Sequence, residues 1–168
     1  MSVSDDAIIA RSLQAFAKVR PERWVASVAI DWQHVVRIEA ADELGMVQCV
    51  SCATPSPGHY GKYHGGHWIG RSRWSTIFAG DDGCTMNCHV QCPQCNRHDG
   101  DGTSKIRYTL WMLEHYGRDA CDQLLLISEE SRPQWTKLDL AKRRLGYIKR
   151  LRRREAEFKQ AGVKVAMR

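Results

Sequence analysis

At 168 residues, with 43% hydrophobic and 26% charged positions and a formal net charge of +6, the chain suits one folded domain with helical extensions and is neither a disordered nor a membrane protein. No apolar run is long enough to span a bilayer, and Asp5 and Asp6 stand where a secretory signal would carry Lys or Arg, so a cytoplasmic location is expected. Seven cysteines, an odd number that includes two Cys-x-x-Cys pairs, point to metal ligation by reduced thiols rather than to disulfides.

Ser4 followed by Asp5 and Asp6 predicts a capped helix start, with Ile8, Ile9, Leu13 and Phe16 at helical spacing up to Val19 and Pro21 ending or re-aiming it. Trp24, Val28, Ile30, Trp32, Val35, Val36 and Ile38 predict a second helix despite their β-branched content, and no chemistry is evident there. From Gly45 to Gly102 the texture turns to Gly, Cys, His and Pro, which predicts loops and brief strands around a metal staple. Helical spacing returns with Ile106, Leu110, Leu113 and Tyr116, stops at Gly117 and restarts through Cys121, Leu124 and Leu125. Thr136 and Asp139 form a capping box for a final amphipathic helix, whose expected apolar stripe is Leu138, Ala141, Leu145, Ile148, Leu151 and Phe158. The chain thus divides into a helical segment over 1–44, a zinc-stapled core over 45–105 and a helical region over 106–168.

The final helix holds most of the positive charge. Residues 132–168 carry 13 Lys or Arg against three Asp or Glu, so the rest of the chain is net negative. Concentrated on one element, such charge can follow a polyanion; a solvated helix face is the plainer reading.

Cys49 and Cys52 form one pair and Cys92 and Cys95 the other, four soft thiolates of the kind tetrahedral zinc prefers. Replacement of one ligand by Cys84 or Cys88 stays open at this point, while Cys121, inside an apolar helix, reads as a core filler. Metal binding and folding of this loop-rich stretch should be coupled.

Between the pairs lie Gly66-His67-Trp68 and then the string Asn87-Cys88-His89-Val90-Gln91-Cys92-Pro93-Gln94-Cys95-Asn96-Arg97-His98. This order resembles the HNH, or His-metal finger, nucleases. It resembles more closely the NinG (Rap) family of lambdoid phage recombination endonucleases over roughly residues 45 to 160, and more distantly phage endonuclease VII. The resemblance implies a mostly helical α+β fold with a small ββα-metal core. It also implies His67 as general base, Asn87 orienting it through a hydrogen bond, and Asn96 on a helix as ligand of a catalytic magnesium or manganese ion. Gly66 departs from the many HNH nucleases that have Asp there, so the second ligand is open among His64, His98 and Asp99. His89 belongs to the pattern as a supporting or structural residue.

Arg71 and Arg73 are candidate phosphate clamps, joined by Lys142, Arg143, Arg150 and Arg153 from the last helix. The implied activity is metal-dependent, structure-selective cleavage of branched DNA such as Holliday junctions and D-loops, in the host cytoplasm, and a homodimer would suit a two-fold junction. A sequence-preferring HNH endonuclease on linear duplex and a zinc-dependent DNA-binding module without catalysis are the rival readings.

Overall fold

The computed structural model describes residues 4–52, 58–81, 86–97 and 102–165. Cys84, His98 and Asp99 lie outside the described residues.

Helix α1 (Asp5–Ala17) starts where Ser4 Oγ accepts the Ala7 amide, with two acids in its first turn against the positive end of the helix dipole. Pro21 does not interrupt a helix but begins one: α2 (Pro21–Glu39) takes it in the first turn, where a missing N–H costs nothing. Val25, Val28, Ala29, Trp32, Val35, Val36 and Ile38 bury the inner side of α2, while Ile30, counted with them in the sequence, is 50% exposed. A small antiparallel pair, β1 (Met46–Val47) with β2 (Gly58–His59), precedes the structurally decisive one, β3 (His64–His67) with β4 (Cys88–Gln91). In that pair His64 faces Gln91 and His67 faces Cys88. Helix α3 (Pro93–Arg97) follows β4 directly, and α4 (Thr103–Tyr116), α5 (Arg118–Glu129) and α6 (Lys137–Gln160) complete the chain.

The result is a mostly helical α+β structure in which the β3–β4 pair lies between α2 on one face and α3 and α4 on the other. Every residue of β4 is buried. The main core joins Phe16 of α1 and Trp32 of α2 to Val90 of β4 and Leu140, Tyr147, Leu151 and Phe158 of α6. A second cluster, Trp68, Ile69, Tyr108, Met112, Cys121 and Leu124, closes the other side.

Two helices are rotated from their expected facing. On α6 the buried stripe is Leu140, Ala141, Tyr147, Leu151 and Phe158, and Leu138 is 43% exposed. Tyr147 reads as polar in a sequence stripe yet carries the packing, because its ring lies 5.3 Å from Trp32 and its hydroxyl donates to Asp81. On α4 Tyr108 and Met112 point inward while Ile106 and Leu110 stay exposed, since the second cluster needs a hydroxyl-bearing ring beside β3.

Much of α6's charge is spent inside the molecule. Arg143 pairs with Asp81, Arg144 with Asp31 at 2.9 Å, Lys149 with Asp5, and Arg150 makes a two-armed contact with Glu39. Arg154 donates to the Ala41 carbonyl at 2.8 Å and to Glu157. The negative balance of the remaining chain therefore has a structural use: its acids are the ion-pair partners of α6. Among the described residues no helix is long and apolar enough to cross a membrane.

Candidate functional site

The four cysteines of the two Cys-x-x-Cys pairs come together. Their sulfurs all lie within 4.8 Å of one another, and Cys52 Sγ is 3.9 Å from Cys92 Sγ. A tetrahedral ion with zinc–sulfur bonds near 2.3 Å sets its sulfurs about 3.8 Å apart, so this cluster can hold a structural zinc. The Cys95 amide donates to Cys92 Sγ at 3.4 Å, which orients a ligand from behind. Burial pushes the Cys95 thiol up to about 12 and raises that of Cys49, a cost that a bound cation would reverse. Cys88 takes no part. It is fully buried in the main core opposite His67, and Cys121 packs in the second cluster.

β3 ends on His67 at the edge of a polar cleft of about 540 Å³. Two glycines allow that placement. A Cβ on Gly65 would sit 2.8 Å from the Gln33 Cβ of α2, and one on Gly66 would overlap Gln91 Oε1 outright and meet Asn96 Oδ1 at 2.9 Å. The strand is therefore gripped on both faces. Position 66 has no room for an acid, because the Gln91 side chain, donating to Ser51 Oγ at 2.6 Å, already fills it.

His67 Nε2 lies 3.2 Å from the Ile77 carbonyl, which can only accept, so Nε2 carries the proton and Nδ1 is the bare nitrogen. Nδ1 has only a long contact, 3.5 Å, from the Gln33 amide. Burial lowers the His67 pKa to about 4; the Ile77 bond opposes that shift and the Arg71 charge adds to it. At neutral pH the ring is uncharged.

Asn87 is fully buried and its side chain makes no hydrogen bond to His67. Its Oδ1 accepts the Ile69 amide at 2.7 Å, and its Nδ2 donates to Ile69 O at 3.0 Å and Thr76 O at 3.1 Å. The expected direct bond to the base is thus corrected. Asn87 fixes the loop between β3 and β4, and that loop presents the Ile77 carbonyl to His67.

Asn96, exposed on α3, donates through Nδ2 to His64 Nδ1 at 3.0 Å. Burial together with the charges of Arg97 and Arg37 lowers the His64 pKa. The two side chains border the cleft and are the described candidates for a catalytic cation; the third, His98, lies outside the described residues. Among the described lining residues there is no carboxylate.

The sequence reading missed what α2 contributes. Gln33, His34 and Arg37 line the cleft, with the Arg37 guanidinium donating to Tyr63 O at 2.8 Å and to Gln33 O at 3.4 Å. Polar residues at i, i+1 and i+4 beside the buried positions of the helix were the available signal. Arg71 also lines the cleft, whereas the neighbouring Arg73 is exposed and does not; α6 supplies none of its described lining. Of the helix cations expected at DNA, Lys142 and Arg153 are exposed, while Arg143 and Arg150 are half-buried in their ion pairs.

His89 sits behind the strand. Tyr108 donates to Gly66 O at 2.9 Å, which leaves its oxygen to accept from His89 Nδ1 at 2.9 Å and leaves Nε2 to accept from Tyr116 at 2.9 Å. Burial lowers the pKa of this ring to about 3, and it packs 4.6 Å from Trp111. It is a structural support for the Gly66-His67 peptide.

The family model of the bacteriophage lambda NinG protein matches residues 13–157. The chain belongs to the NinG family. That membership makes it a phage-type protein related to recombination, and the match takes in α2, both cysteine pairs, His67 and most of α6. No curated protein and no solved structure matches the chain.

Proposed function

We propose that this NinG protein is a structure-selective DNA endonuclease that hydrolyses phosphodiester bonds in branched recombination intermediates such as Holliday junctions and D-loops. The β3–β4 pair with α3 serves as its ββα nuclease core. The observation that carries the reading is the geometry of His67: a neutral imidazole whose Nε2–H is anchored on Ile77 O and whose Nδ1 opens to a cleft lined by Arg37, Arg71 and Arg97.

In this reading a phosphodiester enters against the arginines, and a water displaces the weak Gln33 contact at Nδ1. Nδ1 takes the water's proton as the oxygen attacks phosphorus, the bond from phosphorus to the leaving oxygen breaks and that oxygen takes a proton from solvent, and the Ile77 carbonyl holds the resulting imidazolium in place. Asn87 and the Tyr108–Gly66 bond position the base without touching substrate.

Magnesium or manganese, when bound, would stabilise charge on the phosphate and the leaving oxygen. If the Asn96 amide turns over, its oxygen and His64 Nδ1 face the same point, and these two described donors, an amide oxygen and an imidazole, suit a softer ion better than magnesium. The lack of a carboxylate among the described lining residues is what favours the second reading, a zinc-dependent DNA-binding module without catalysis.

One incubation separates the readings. A four-way junction, a linear duplex and a single strand, each with magnesium or manganese, are offered to wild type and to His67→Ala. Junction cutting by wild type alone is expected. Equal cutting by His67→Ala defeats the assignment of the base, preference for one linear sequence indicates a site-specific nuclease, and binding without cutting indicates the non-catalytic module.

A further inference from the structure

Three hollows follow one another along α2. The His67 cleft takes Gln33, His34 and Arg37; the next takes Ala29, Ala26 and Val25; the third takes Val25, Trp24 and Pro21. They are joined. Arg71 borders the first and the second, and Trp74 borders the second and the third, so one groove runs from the base to the start of α2. From Arg37 to Pro21 the helix rises about 24 Å.

The far part of the groove differs from the cleft. Its floor is apolar, with Val25 and Ile77, and its end is walled by the half-buried indoles of Trp24, Trp74 and Trp135. Cations are held over two of those rings: the Arg132 guanidinium lies 4.3 Å from the Trp74 centroid, and Lys137 Nζ lies 4.8 Å from that of Trp24. Trp24 Nε1 is a buried donor without an acceptor among the described residues. Glu22 is the one acid on the described lining of these hollows.

An apolar, indole-walled channel with a positive rim has little to offer a duplex, whose base faces are stacked away. It matches an unpaired strand, which presents base faces and phosphates together. We propose that the groove along α2 from Arg71 to Trp135 binds single-stranded DNA continuing from the scissile bond, with bases against Trp74 and Trp135 and phosphates on Arg71 and Arg132. Resting on the nuclease reading, this makes the preferred branch one with an unpaired arm next to the cut.

The test is binding without cleavage, so that it does not depend on catalysis. Zinc-loaded full-length protein, with no other divalent ion, is titrated into a fluorescein-labelled oligothymidylate of about a dozen nucleotides and into a labelled duplex of equal length, followed by anisotropy. Arg132→Glu, an exposed change that leaves the core intact, and Trp74→Leu are each expected to weaken oligothymidylate binding roughly tenfold and duplex binding less than about twofold. Absence of oligothymidylate binding at low salt, equal losses on both ligands, or unchanged affinity in Arg132→Glu overturns the proposal, as does displacement of the strand by an acidic peptide of equal charge. If junctions are still cut while any of these is seen, the groove assignment fails and the nuclease reading stands. Normal strand binding by a protein that cuts nothing has the opposite meaning.

Discussion

Replacing Asn87 by alanine tests the link between loop and base most sharply. The residue is wholly buried, and its carboxamide makes the Ile69 N–H, Ile69 C=O and Thr76 C=O bonds in a place where neither strand nor helix offers a substitute. A buried backbone group left without a partner costs about 1–3 kcal/mol, and three orphaned together, with some relief from water entering the vacated space, should cost about 3–5 kcal/mol. That is a large share of the 5–15 kcal/mol over which domains are stable. Asn87→Asp should lose a similar amount, since it keeps the acceptor for Ile69 N–H but sets an oxygen against two carbonyls. Urea unfolding at saturating zinc gives the stability, and nitrogen NMR of the His67 ring gives the tautomer: wild type should be protonated at Nε2, and the alanine variant should mix both forms. A loss under about 1 kcal/mol, or an unchanged tautomer in a destabilised variant, would refute the idea that Asn87 acts on His67 through this loop.

Natively purified protein should contain one zinc per chain, and chelation should expose Cys92 and Cys95 to thiol reagents while it melts the β3–β4 pair; metal-free protein with the same melting curve would remove the staple. Stability should fall as pH drops from 6.5 toward 3, because the unfolded chain protonates His67 and His89 near their ordinary value while the folded one resists until about 4 and about 3. Urea midpoints at pH 7, 5.5 and 4.5 read this directly, and His89→Gln should flatten the slope; a flat profile in wild type would contradict it. Arg150→Ala should cost about 1–3 kcal/mol of stability by leaving half-buried Glu39 with only the longer 3.8 Å contact of exposed Arg153, with little change in DNA affinity at matched salt; the reverse pattern would make this arginine a DNA contact. In pH–rate profiles the acid limb of kcat/KM should lie near 4, that of kcat should lie higher, and Arg71→Ala should raise the first; coincident limbs would deny any coupling between substrate charge and the base.

The helices were legible because each carries local signals: Ser4 and Thr136 at their caps, Pro21 in a first turn and Gly117 at a break. The metal staple was legible from cysteine spacing, since a shared ion is what brings Cys49 and Cys52 to Cys92 and Cys95. What could not be read is long-range. Nothing local shows that Gln91 occupies the space above Gly66, that Asn87 serves the loop rather than the base, or that α2 rather than α6 lines the cleft. The ion pairs of α6 were hidden for a physical reason: charge in a sequence has no address, and Asp81, Asp31 and Glu39, the partners of Arg143, Arg144 and Arg150, are distant in the chain.

The allocation of charge bears on how His67 would work as the base of the proposed nuclease. With a pKa of about 4 it is unprotonated in all but about one molecule in a thousand at pH 7, yet a base that weak gains little from taking a proton. Arg71 is part of the cause, and it is a rim residue facing the space a phosphate would fill. A bound phosphodiester cancels the arginine's field and adds its own negative charge, and both effects raise the imidazole toward neutrality, where proton transfer is most effective. Arg143, Arg144 and Arg150 of α6, by contrast, are tied to Asp81, Asp31 and Glu39, and α6 supplies none of the described lining of the cleft. On the nuclease reading, the arrival of substrate would therefore strengthen the base, and an empty cleft would have little power to activate water.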